Sequence, residues 1–153
     1  MKILMVCLGN ICRSPMADGL MRKKVQDHNL DTYVDSAGTA NYHAGGAPDT
    51  RMTQIAKRKG VNISELKARQ FVVSDFDTFD LIYVMDQSNY NNVIRLSRNE
   101  SDRNKVQLIL ELLPNQDEIE VPDPYYGGQD GFEHVYDLLD KCTDIILNNL
   151  RHE

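Results

Sequence analysis

Lys2 to Leu20 of the 153-residue chain read KILMVCLGNICRSPMADGL. Ile3 to Leu8 is continuously apolar rather than alternating, which predicts a strand covered on both faces in a parallel sheet. A polar loop follows. Ser14 is expected to cap a helix with Pro15 at its first position, and Met16, Ala17, Leu20, Met21 and Val25 recur at helical spacing. The stretch is therefore a strand, a short loop and a helix, with Cys7 at the strand end and Arg13 six residues later.

The same rhythm continues downstream. Thr32 to Ala37 predicts a second strand, Gly38 to Pro48 an exposed loop, and Asp49 or Thr50 the start of a helix running to Lys59 and stopped by Gly60. Leu81 to Met85 predicts a third strand, followed by a helix from Gln87 to Leu96 with Asp86 as its cap. Val106 to Leu112 is a fourth apolar segment, and a long helix is expected from Asp130 to Leu150. Strands alternating with helices indicate an α/β fold with an open parallel sheet and helices on both faces. In such sheets ligands sit beyond the carboxyl ends of the strands, where Cys7 falls.

Composition narrows the function. Hydrophobic residues make up 41% and charged residues 26%, the profile of a soluble globular domain spanning 1–153. No run reaches the roughly 18 apolar residues of a membrane span, and the first residues lack the pattern of a signal peptide. The net charge of −6 and scattered basic residues argue against nucleic acid as a partner. Three cysteines fit a reducing, cytoplasmic setting.

A loop between a strand and a helix N-terminus turns successive backbone N–H groups inward and makes an anion site reinforced by the helix dipole. Phosphate would fit there. A thiol in that field is expected as the thiolate at neutral pH, so Cys7 becomes a candidate nucleophile. Arg13 offers a planar fork for two phosphoryl oxygens, and Gly9 and Asn10 tolerate the left-handed backbone that lets the loop curl. Ser14 could donate its hydroxyl to the thiolate. Cys12, inside the loop, could protect Cys7 through a reversible disulfide where geometry allows, whereas Cys142 lies on an apolar helical stripe and packs in the core.

Attack on a phosphate monoester also needs a proton for the leaving oxygen. Asp123 stands between Pro122 and Pro124, whose fixed φ angles stiffen it, after the fourth apolar segment and so on the same side of the sheet as the first loop. By itself the segment admits two readings, a proton donor or a turn aspartate bonding its neighbours.

VCLGNICRSPMA, DSAGT at Asp35 to Thr39, VMDQSN at Val84 to Asn89 and DPYYG at Asp123 to Gly127 together resemble the low-molecular-weight protein tyrosine phosphatases across essentially the whole chain. The resemblance implies a flavodoxin-like sheet of four parallel strands, no metal or cofactor, tyrosine-phosphorylated proteins or peptides as substrates, and hydrolysis through a phosphocysteine. It makes Cys7 the nucleophile, Arg13 the phosphate-binding and transition-state residue, and Asp123 the general acid that later activates water. Leu8, Gly9, Asn10, Ile11, Cys12 and Arg13 would supply backbone N–H groups. Asn10 and Ser36 would support the loop, Ser14 would assist the thiolate, and Tyr42, Tyr125 and Tyr126 would line the cleft mouth. Asp86 follows a strand end and could touch the site, but is expected chiefly as a helix cap.

One departure stands out: Leu66 replaces a His that many members place two residues before Ala68-Arg69-Gln70 and use in the Asn–Ser network. Asn10 must then find another partner or the loop is held less firmly. Rival readings on the same fold are weaker. A thiol-linked arsenate reductase relays oxidation through a further pair of cysteines, which similar enzymes carry in the segment just after Met85, and that segment has none. A protein arginine phosphatase resembles the family but carries Thr at the position of Ile11 and lacks the paired tyrosines. A silent phosphate-binding module would not need all three catalytic positions filled.

Overall fold

A computed structural model describes residues 1–114, 117–124 and 129–152. Strands β1 (Lys2–Cys7), β2 (Tyr33–Gly38), β3 (Leu81–Val84) and β4 (Val106–Leu108) form one sheet in the order β2-β1-β3-β4. Every neighbouring pair is parallel, with Met5 opposite Ser36 on one side and Tyr83 on the other. β1 is thus an interior strand, which explains its unbroken apolar run. Its side chains alternate between two cores. Ile3, Met5 and Cys7 pack toward helices α1 (Arg13–Asp27), α2 (Thr50–Arg58) and α6 (Gln129–Arg151). Leu4 and Val6 face Phe71, Phe76, Phe79 and Val93, in and around the short helix α3 (Asp75–Thr78) and helix α4 (Gln87–Arg95). Chain order reverses about β1, so the β1 and β3 carboxyl ends form the crevice where ligands bind in this architecture.

Several boundaries differ from expectation for physical reasons. Helix α1 starts at Arg13 and has Cys12, without a side-chain cap bond, at its N-cap. Ser14 is therefore not the cap; its hydroxyl is drawn into bonds with Cys7 and Asn10. Pro15 still sits in the first turn, where an N–H has no partner in the helix. The fourth apolar segment divides into a three-residue strand and a 3-10 turn, Ile109–Leu112, because burial alone makes both apolar. Helices α3 and α5 (Glu100–Asn104) are too short to show periodicity.

Gly60, at φ 80, follows α2 as expected. α6 extends one residue beyond expectation at each end and buries Phe132, Val135, Leu139, Cys142 and Ile146. Lys24 ties α1 to it through Asp140 Oδ1 at 2.8 Å and Thr143 Oγ1 at 2.7 Å. No helix among the described residues is long and apolar enough to cross a membrane.

Candidate active site

Cys7 ends β1 with its side chain buried, and the chain then curls through residues 8–12 into α1. The loop's carbonyls are engaged by N–H groups around it: Thr39 on Cys7 at 2.9 Å, Ala40 on Leu8 at 3.0 Å, Asp49 on Ile11 at 2.8 Å and Met16 on Cys12 at 3.2 Å. These bonds fix the path of the loop beside the hollow, and a loop curling into a helix N-terminus in this way is the setting in which successive peptide N–H groups make an anion nest. Asn10 makes the turn at φ 57, a left-handed conformation that asparagine tolerates. Gly38, at the end of β2, passes so close that a Cβ there would lie 2.7 Å from Leu8 O and 3.2 Å from Asn10 N.

A chain of bonds runs beneath the loop. Cys7 Sγ lies 3.0 Å from Ser14 Oγ, which accepts from Asn10 Nδ2 at 2.7 Å. Asn10 Oδ1 accepts the backbone N–H of Arg69 at 3.0 Å. That bond gives Asn10 a partner in a chain with Leu66 in place of the family's histidine. Arg69 is itself clamped by Asp75, both Nη atoms bonding its carboxylate at 3.1 and 3.2 Å, and pairs with Asp35 at 3.1 Å. Ser36, expected beside Asn10 in support of the loop, is buried next to the carboxylate of Asp18, and no side-chain hydrogen bond joins it to Asn10.

Arg13 is fully enclosed, and its Nη1 donates to Asp86 Oδ2 at 2.7 Å and to the carbonyl of Val121 at 3.0 Å. Its Nη2 lies 3.7 Å from Asp123 Oδ2. Burial opposes the guanidinium's charge, but Cys7, Asp86 and Asp123 facing it outweigh that, and its pKa is raised above the ordinary value. Cys7, Leu8, Gly9, Ile11, Cys12, Arg13, Tyr42, His43 and Asp123 surround a cavity of about 460 Å³. A buried thiol, a fixed guanidinium and a carboxylate therefore share one hollow.

Residues 2–153 match the family model described as low molecular weight phosphotyrosine protein phosphatase. The chain belongs to this phosphatase family. A low molecular weight phosphotyrosine protein phosphatase of Schizosaccharomyces pombe is 43% identical, with 97% of this chain and 96% of that protein aligned. Among solved structures, a protein tyrosine phosphatase of Entamoeba histolytica superposes with a TM-score of 0.93 at 40% identity, covering 99% of this chain and 97% of that one. A drosophila arginine phosphatase superposes at 0.91 with 33% identity, covering 97% of each chain.

In this phosphatase the cleft mouth includes Tyr42, 74% exposed, while Tyr125 and Tyr126 lie outside the described residues. His43, which sequence reasoning passed over, packs its ring against Gly9 and lines the cavity. Asp86 does more than cap α4. One oxygen accepts from Asn89 N at 2.8 Å while the other holds Arg13, a double use that a cap motif alone does not reveal. The partners Val121 and Arg69 act through backbone atoms, so no residue-type signal could have pointed to them. Cys12 is inside the loop but buried, and burial first, then the charges of Asp49 and Cys7, push its thiol far up. Cys142 sits in the core, where burial pushes it up to about 12.

Proposed function

We propose that residues 1–153 act as one phosphatase domain that hydrolyses phosphotyrosine in proteins or peptides, and aryl phosphate monoesters, through a phosphocysteine on Cys7. The convergence of Cys7, Arg13 and Asp123 on one cavity carries this reading. The phosphoryl group sits in the nest of N–H groups from Leu8 to Arg13. Both hydrogens of Arg13 Nη1 are taken by Asp86 and Val121, which leaves the Nε and Nη2 edge to bind two phosphoryl oxygens.

In the first step Cys7 Sγ attacks phosphorus, the phosphorus–oxygen bond to the leaving group breaks, and Asp123 gives that oxygen its proton. In the second, Asp123 takes a proton from water as the water attacks phosphorus. The sulfur–phosphorus bond breaks and its electron pair returns to Cys7, where the Ser14 hydroxyl donates to the thiolate. The charge that builds on the equatorial oxygens meets donors already in place.

Two further features bear on substrate and setting. The net charge of −6 disfavours nucleic acid as a partner, and three buried free thiols suit the cytoplasm. Ile11, on the cavity wall, narrows the room for a phosphorylated guanidinium, the substrate class of the drosophila relative. The test is a parallel assay of phosphotyrosine, phosphoserine and phosphoarginine peptides with an aryl phosphate. Turnover of phosphotyrosine and the aryl phosphate above the other two supports the reading, and preference for phosphoarginine overturns it.

A further inference from the structure

The segment that carries Asp123 is seated by contacts immediately upstream of it. Val121 donates its N–H to Met85 O at 2.8 Å, and its carbonyl accepts from Arg13 at 3.0 Å. Both involve the backbone of a residue with no exposed surface. A third contact is of another kind: Glu120 Oε2 accepts the backbone N–H of Gln87 at 2.8 Å. Gln87 is the first residue of α4, so this N–H is one of the helix's donors without an internal partner, and the positive end of the helix favours a carboxylate there.

The first turn of α4 consequently receives two carboxylates, one from its own N-cap and one from a residue 33 positions downstream of Gln87. Asp86 caps Asn89 and aligns Arg13, while Glu120 fastens the segment that ends in Asp123. Pro122 and Pro124 restrict the backbone on either side of Asp123, so an anchor at Glu120 is transmitted along the segment rather than lost in free rotation. We propose that Glu120 is a positioning residue for proton transfer, holding the Asp123 carboxyl within reach of the leaving oxygen by docking its segment on the N-terminus of α4. This rests on the reading of Asp123 as the proton donor. The side chain of Glu120 is exposed and makes no hydrogen bond to a residue lining the cavity, so replacing it leaves the nucleophile and the phosphate nest in place.

The test is a series of aryl phosphates whose leaving groups range from phenol to nitro-substituted phenols, assayed as kcat/KM for the parent, Glu120→Ala, Glu120→Gln and Asp123→Asn. For Glu120→Ala the expected loss is about 10-fold or more on the poor leaving groups and less than about 2-fold on the activated ones, since displacement of a catalytic group by an ångström costs up to about 100-fold. Glu120→Gln, which keeps an acceptor oxygen, should recover most of that loss. Inhibition by inorganic phosphate should be unchanged in both variants. A uniform loss across the series, or a series like the parent's for Glu120→Ala beside a steep one for Asp123→Asn, overturns the latch and leaves the acid standing. A parent-like series for Asp123→Asn overturns the acid, and the latch with it.

Discussion

Asp86 Oδ2 lies 2.7 Å from Arg13 Nη1 while Asp86 Oδ1 caps α4 at Asn89 N, 2.8 Å away. One carboxylate thus couples the guanidinium to a helix terminus. The two roles separate by substitution, because asparagine caps nearly as well as aspartate but carries no charge. Asp86→Asn should lower kcat/KM about 10- to 100-fold through a loosened Arg13 and change the urea midpoint little. Asp86→Ala should show the same kinetic loss plus about 1 kcal/mol of stability. Equal stability for the two variants would mean the cap contributes nothing.

Gly38 tests the tightness of the nest. A methyl group there meets backbone on three sides, from Leu8, Ala40 and Asn10, none of which can swing away as a side chain could. Gly38→Ala should cost about 1–3 kcal/mol in chemical denaturation, the usual range for overpacking. It should also weaken inhibition by inorganic phosphate, since the strain falls on the loop that binds it. Tight phosphate binding in this variant would show that the loop adapts at no cost.

Thiol labelling separates the three cysteines. Burial pushes Cys142 up to about 12 and, helped by the charges of Asp49 and Cys7, holds Cys12 as the protonated thiol, so neither offers a thiolate at neutral pH. Cys7 and Cys12 both line the cavity with Arg13, and of the two it is Cys7 that pairs with the Ser14 hydroxyl. Iodoacetamide at pH 7 should modify Cys7 first, with inorganic phosphate protecting it, as read by peptide mass spectrometry. Earlier modification of Cys12 would contradict this order.

Asp49 caps α2, accepting the N–H of Arg51 at 2.8 Å. Burial pushes its carboxyl up, but the bonds from the Arg51 side chain and backbone outweigh this and hold its pKa below the ordinary value. A carboxylate with a depressed folded value contributes stability that is fully present above its unfolded value, about 3.9, and is lost as pH falls through the folded one. The parent should exceed Asp49→Asn in urea midpoint at pH 7, and the gap should close as pH drops below about 4. A gap that widens on acidification would contradict the assignment.

Much of this was legible in the chain because it depends on residue type. The unbroken apolar run of β1, the Cys7-to-Arg13 loop and the proline-flanked Asp123 each carry a compositional mark, and each takes its place at the strand ends. What escaped depends on backbone or on distance. Ser14 looked like a cap because its type is right for one, yet Asn10 and Cys7 compete for its hydroxyl. The N–H of Arg69 and the carbonyl of Val121 are available from any residue, so their selection is a matter of fold alone. Asp86 was legible as a cap and silent about Arg13, 73 positions away.

All four strands contribute to the cavity or its rim at the same edge: Cys7 ends β1, Gly38 ends β2, Asp86 follows β3, and the segment bearing Asp123 lies beyond β4. Strand register is therefore a variable of the chemistry itself. A slip of β3 by one residue along β1 would carry Asp86 about 3.3 Å, farther than the whole length of its bond to Arg13. The same slip would turn Ile82 and Val84 out of one core and into the other. The alternation that sorts these side chains between two cores is thus also the ruler by which the guanidinium and its carboxylate are set opposite each other.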